Sequence, residues 1–65
     1  MVTLYSTGCP KCNVLKKKLY QKEVNYDEIN DVEIISQKGF SIVPVLEVNG
    51  KYMNFKEAVD WINTL

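Results

Sequence analysis

Cys9 and Cys12 are the only cysteines in this chain, and they sit in the run Cys9-Pro10-Lys11-Cys12, between an extended stretch, Val2 to Ser6, and a helical pattern. At the start of a helix the unpaired backbone N–H groups and the positive end of the dipole stabilise a thiolate, the species that attacks a disulfide. Cys9 is therefore the expected nucleophile. Cys12, about one helical turn further on, can attack the mixed disulfide formed on Cys9 and release the reduced substrate, so it is the expected resolving thiol. Pro10 suits an early helical position, and Lys11 sets a cation beside both sulfurs, which favours the thiolate.

Other uses of this pair are weaker on physical grounds. A purely structural disulfide closing so short a loop removes only about 2 kcal/mol of unfolded-chain entropy, against about 4.7 for a hundred-residue loop. A closed zinc site needs four ligands, and the chain has no histidine and no third cysteine. Metal would require two chains to share their Cys-x-x-Cys pairs, or carboxylate help. Chance proximity of two idle cysteines is disfavoured by their place at a strand-to-helix junction.

The 65 residues make one domain of 1–65, barely large enough to bury a sufficient core. Eight basic and eight acidic side chains cancel, so global charge points neither to nucleic acid nor to an anionic membrane. The chain opens directly on a strand-like stretch, without a signal-peptide pattern or an apolar run of spanning length, and is expected to be cytoplasmic. In a reducing cytosol a lone Cys-x-x-Cys is more often catalytic or metal-binding than structural.

The elements expected to position the thiols follow the order β-α-β-α-β-β-α, an α/β arrangement with a four-stranded mixed sheet flanked by helices. Val2 to Tyr5 is apolar enough for a central strand. A helix is expected from Pro10 to about Glu23, with Leu15 and Leu19 inward and Lys16, Lys17, Lys18 and Lys22 mostly on a solvated face. Val24 to Ile29 reads as a second strand, parallel to the first through a right-handed crossover. Asn30 and Asp31 can cap a short helix that Gly39 ends. Val45 to Val48, Asn49-Gly50 and Lys51 to Met53 form a hairpin, because Asn-Gly supplies the positive φ angles of a two-residue turn. The last helix opens at Asn54 with Glu57 as a capping-box partner, and places Phe55, Val59 and Ile62 at helical spacing beside Ala58 and Leu65. Phe55 and Trp61 read as core or rim packing.

With these residues in place the chain resembles a small glutaredoxin-like member of the thioredoxin-fold family over essentially its whole length. Cys9-Pro10-Lys11-Cys12 after the first strand carries the likeness, together with Ile42-Val43-Pro44, which is similar to the Thr-Val-Pro of glutaredoxins. The resemblance implies a cis bond between Val43 and Pro44, with the main chain of Val43 facing the thiols and able to pair with an extended substrate segment. The bland reading of Pro44 is a strand-start proline.

Departures from the family concern glutathione. Glutaredoxins that use it usually have a lysine where this chain has Ser6. They also have a Gly-Gly-x-Asp-Asp stretch where this chain has Asn54-Phe55-Lys56-Glu57-Ala58. Glutathione, the one candidate co-substrate, is therefore expected to bind poorly; no metal, flavin or nucleotide is required. The expected activity is thiol–disulfide exchange on protein disulfides by a monomer, without nucleic acid or membrane, recharged by glutathione or by a flavoprotein reductase. A rival of another class is a metal or iron–sulfur module formed by a dimer. A third reading is a pure interaction domain with an unreactive Cys9.

Overall fold

The computed structural model describes residues 1–65. Its elements are β1 (Val2–Tyr5), α1 (Pro10–Gln21), β2 (Asp27–Ile29), α2 (Val32–Gln37), β3 (Val45–Val48), β4 (Lys51–Met53) and α3 (Phe55–Asn63). The strands form one sheet in the order β2-β1-β3-β4, with β1 and β2 parallel and the other neighbours antiparallel. This is the mixed four-stranded arrangement expected from the sequence.

Each face of the sheet buries its own cluster. Leu4 and Leu46 from the sheet meet Leu15 and Leu19 of α1 and Ala58 and Ile62 of α3, with Met53 completing the group. Tyr5 and Val45, on the opposite side of the same strands, meet Ile35 of α2. Alternation along a strand sends neighbouring side chains to opposite faces, so the Leu4-Tyr5 and Val45-Leu46 steps each serve both clusters. Phe55 and Trp61 are half-buried rim residues of the larger cluster, as anticipated.

Two element boundaries differ from the sequence reading. α1 ends at Gln21, and β2 begins only at Asp27 rather than at Val24. The cause is a cap at the end of α1. Glu23 takes φ +57°, its N–H donates to the Tyr20 carbonyl, and the Val24 N–H donates to the Leu19 carbonyl. This is the Schellman pattern, in which the residue after the left-handed position folds back onto the helix. Val24 packs against the cluster that contains Leu19, so it serves as a helix anchor and not as a strand residue. At α2 the N-cap is Asp31, one of the two residues expected to cap it, and its carboxylate accepts from the Glu33 N–H at 2.9 Å. Gly39, at φ +80°, ends that helix as expected.

The hairpin and the last helix agree with the local signals. Asn49 and Gly50 both have positive φ, at 50° and 86°. Asn54 caps α3 in a reciprocal box: its side chain accepts from the Glu57 N–H at 2.8 Å, and the Glu57 carboxylate accepts from the Asn54 N–H at 3.1 Å.

Candidate redox site

Cys9 is the N-cap of α1, with extended backbone at φ −68° and ψ 163°, and Pro10 follows as the first helical residue. Proline is suited to that position because its missing N–H would be unpaired there in any case. The two cysteines are joined as a disulfide, with Cα atoms 5.0 Å apart. The Cys12 N–H donates to Cys9 Sγ at 3.2 Å, so a helix-start donor points at the first sulfur. The pair is strongly asymmetric in access: Cys12 is 0% exposed, whereas Cys9 is half-buried.

Lys11 is exposed, and its ammonium lies 5.5 Å from the centroid of the Phe55 ring at the start of α3. A cation over an aromatic face at such a site contributes about 0.5 to 1 kcal/mol. The contact ties the redox motif to α3. At the other end Lys22 Nζ donates to the Leu65 carbonyl at 3.2 Å, so α1 and α3 run side by side in the same direction and both N-termini lie at the disulfide end.

Val43-Pro44 is a cis peptide bond, in agreement with the resemblance. The antiparallel ladder pairs Val45 with Tyr5, so its continuation brings Pro44 level with Ser6, in the segment that leads to Cys9. Pro44 is buried, and Val43 is half-buried against the Tyr5–Ile35–Val45 cluster. Neither backbone group of Val43 has a hydrogen-bond partner in the main chain.

Beneath the motif lies a polar chain that sequence patterning does not reveal. Ser6 is fully buried and donates through Oγ to Glu28 Oε2 at 2.9 Å, and the same carboxylate pairs with Lys16 Nζ at 2.6 Å. The Lys16 hydrogen bond holds the Glu28 carboxyl below its ordinary value, burial opposes this, and the Ser6 hydroxyl adds to the lowering. Lys16, expected on the solvated face, is thus an ion-pair partner. On the other face Tyr5 donates to Glu47 Oε1 at 2.8 Å. Burial first, and then this hydrogen bond, push the Tyr5 phenol up to about 12.

No three His, Cys, Asp or Glu side chains converge into a group that could hold a metal ion. No helix is long and apolar enough to cross a membrane. The larger surface depression lies at the far end of α1, between Tyr20, Val24 and Tyr26, away from the thiols.

No family model matches the chain. It is 40% identical over 53 residues to the glutaredoxin-like protein NrdH of Lactococcus lactis subsp. lactis (strain IL1403), an alignment that covers 71% of this chain and 74% of the relative. Among solved structures it matches the glutaredoxin-like NrdH-redoxin of Escherichia coli with a TM-score of 0.75 at 22% identity, over 98% of this chain and 92% of that one. The second likeness shows a thioredoxin-like fold. Taken with the Cys9–Cys12 disulfide at the head of α1, the first shows that this chain belongs to the glutaredoxin-like NrdH family and is a thiol–disulfide oxidoreductase.

Proposed function

We propose that the chain reduces disulfides in protein partners through a dithiol cycle on Cys9 and Cys12. The observation that carries this reading is the asymmetry of the pair: Cys9 is reachable and receives the Cys12 N–H, while Cys12 is fully buried. In the reduced form the Cys9 thiolate attacks one sulfur of the substrate disulfide and the other sulfur leaves as a thiolate that takes up a proton. Cys12, deprotonated, then attacks Cys9 in the mixed disulfide and expels the second substrate sulfur. The net step moves two electrons and two protons to the substrate and leaves the Cys9–Cys12 disulfide. Pro10 and Lys11 support the thiolate.

Val43 and Pro44 form the substrate-positioning edge in this reading. Support comes from the unpaired main chain of Val43 and its position beside the Ser6–Cys9 segment. An extended substrate strand can use those free groups, as in other strand-addition interfaces.

Glutathione is a poor co-substrate in the same reading, and a flavoprotein reductase is the electron source. The start of α3, where glutaredoxins grip the γ-glutamyl end, is closed by the Asn54–Glu57 box, and the Phe55 ring carries Lys11. Ser6 is buried and committed to Glu28, so it offers nothing in place of the missing lysine. Removing one charge-assisted hydrogen bond weakens binding by about 1.5 to 3 kcal/mol, and removing two lowers affinity by about two orders of magnitude or more. The thioredoxin-like activity profile attributed to the Escherichia coli NrdH-redoxin agrees with this. The chain works as a monomeric unit of residues 1–65 in a reducing cytoplasm.

The test is trapping. Cys12→Ser is expected to accumulate a mixed disulfide with a protein substrate, and Cys9→Ser is expected to be inert; the reverse pattern would exchange the roles. A Cys12→Ser protein that turns over glutathione mixed disulfides efficiently and saturably would overturn the exclusion of glutathione.

A further inference from the structure

The zero net charge conceals a sharp segregation. Residues 10–22, which are α1 and its C-cap, contain Lys11, Lys16, Lys17, Lys18 and Lys22 and no acid. Residues 23–33 contain Glu23, Asp27, Glu28, Asp31 and Glu33 and no base. The structure accounts for much of the acidic half: Glu28 pairs with Lys16, Asp31 caps α2, and Glu33 sits in the first turn of α2 beside its positive end.

Three of the five lysines are partnered as well, Lys16 with Glu28, Lys11 over the Phe55 ring and Lys22 on the Leu65 carbonyl, while Lys17 and Lys18 have no partner. Lys11 places a cation in the first turn of α1, at the end where the helix dipole disfavours it, and no acid in that turn offsets it. Lys18 and Lys22 stand four residues apart, where like charges repel, at the C-terminal end of α1, where the helix dipole favours cations. The lone ion pair of the molecule takes only Lys16. Lys11, Val14, Lys18 and Lys22 fall on one helical stripe, and the contacts of Lys11 with Phe55 and of Lys22 with Leu65 fix that stripe on the flank facing α3. Val14 is 42% exposed within it, and Lys17 is exposed beside it. The stripe therefore begins inside the redox motif and runs the length of α1, a basic surface with one apolar contact point.

We propose that this flank of α1 is the docking surface for an acidic face of the protein whose disulfide is exchanged. The inference rests on the proposed function, in which the substrate is a protein disulfide. Charge complementarity identifies the partner's chemistry: carboxylates lying just beyond the reacting disulfide, along a path of about 18 Å set by a twelve-residue helix. Six extended residues span about that distance. Such pairing acts mainly on the encounter rate and fades as the screening length drops below about 10 Å above 0.1 M salt.

The experiment uses the full chain in its dithiol form and three synthetic peptides, each with one intramolecular disulfide followed by six residues, all Glu, all Gln or all Lys. Second-order reduction rates are measured at low and high ionic strength. At low salt the Glu peptide is expected to react at least about tenfold faster than the Gln peptide, and the Lys peptide slower, with the differences closing at high salt. In Lys17→Gln/Lys18→Gln the Glu-to-Gln ratio is expected to fall several-fold. In Lys17→Glu/Lys18→Glu the preference is expected to shift toward the Lys peptide, a gain that misfolding cannot produce. Equal rates for the three peptides, or a ratio indifferent to these substitutions, would overturn the docking surface while leaving the exchange chemistry standing. Failure to reduce any peptide would overturn the protein-disulfide reading and this proposal with it. Equal peptide rates accompanied by salt-sensitive retention on duplex DNA or phosphatidylglycerol vesicles would assign the lysines to those polyanions instead.

Discussion

On the side of the sheet covered by α1 and α3, Leu4, Leu15, Leu19, Leu46, Met53, Ala58 and Ile62 make one aliphatic cluster with no polar atom to satisfy. On the side covered by α2, the buried group is Tyr5, Ile35 and Val45, extended by the half-buried Phe40 and the edge-on ring contacts of Phe40 with Tyr5 and Tyr52. α2 is six residues long and buries one of them, Ile35, while Tyr5 needs Glu47 as its acceptor. The two halves of the redox site hang on different clusters. The helix that carries the thiols is anchored in the aliphatic one, whereas Val43 packs on the aromatic one. Perturbing the first should threaten the fold, and perturbing the second should loosen the Val43–Pro44 segment, the edge proposed to receive substrate, while leaving the thiols in place.

The largest effect is expected from Leu15→Ala. Leu15 is fully buried on α1, and leucine-to-alanine changes in cores cost about 2 to 5 kcal/mol. For so small a domain that is a large part of the total stability, so urea titration should show a protein partly unfolded without denaturant. Ile35→Ala is expected to cost about 2 kcal/mol, at the low end of that range, because α2 is short and can settle onto the sheet. Its signature is a raised KM for a protein disulfide with little change in the alkylation rate of Cys9. If Ile35→Ala destabilises more than Leu15→Ala, the ranking of the two faces is wrong.

Tyr5→Phe should cost about 1 kcal/mol at neutral pH, the worth of its hydrogen bond to Glu47. The phenol is raised from 10.0 to about 12 in the folded chain, so the stability it contributes is fully present below pH 10 and is lost as the pH climbs toward 12. Thermal unfolding across that interval should fall more steeply for the unmodified chain than for Tyr5→Phe. Glu28→Gln should have the smallest effect, at most about 1 kcal/mol, because the Lys16 pair is one-third exposed. Here the sign is reversed: the Glu28 carboxyl is lowered from 4.5, so its contribution is present above that pH and is lost as the pH falls through the lower folded value. Acid unfolding of Glu28→Gln should accordingly be shallower below pH 4.5.

The features that the residues show by themselves are mostly local, while the cis Val43–Pro44 bond is legible only through the family resemblance. The hairpin at Asn49-Gly50 and the Asn54–Glu57 box each rest on residues within three positions of one another, and so does the Cys9–Cys12 pair. The start of β2 is not legible because a glutamate at positive φ, Glu23, closes α1 in a role usually filled by glycine, and the alternation Val24-Asn25-Tyr26 that follows it looks like a strand. The Ser6–Glu28–Lys16 chain and the Lys11–Phe55 contact join residues from separate elements, and only the assembled sheet and the parallel course of α1 and α3 bring them together.

The central claim is that Cys9 is the attacking sulfur because it caps α1 while Cys12 is shut inside. It is tested most directly by following alkylation of the reduced chain by iodoacetamide against pH, with each cysteine resolved by peptide mass. Cys9 is expected to reach half its maximal rate below the value of about 8.5 for an unperturbed thiol, with Cys12 protected throughout. Equal rates at the two cysteines, or a faster Cys12, would contradict the account.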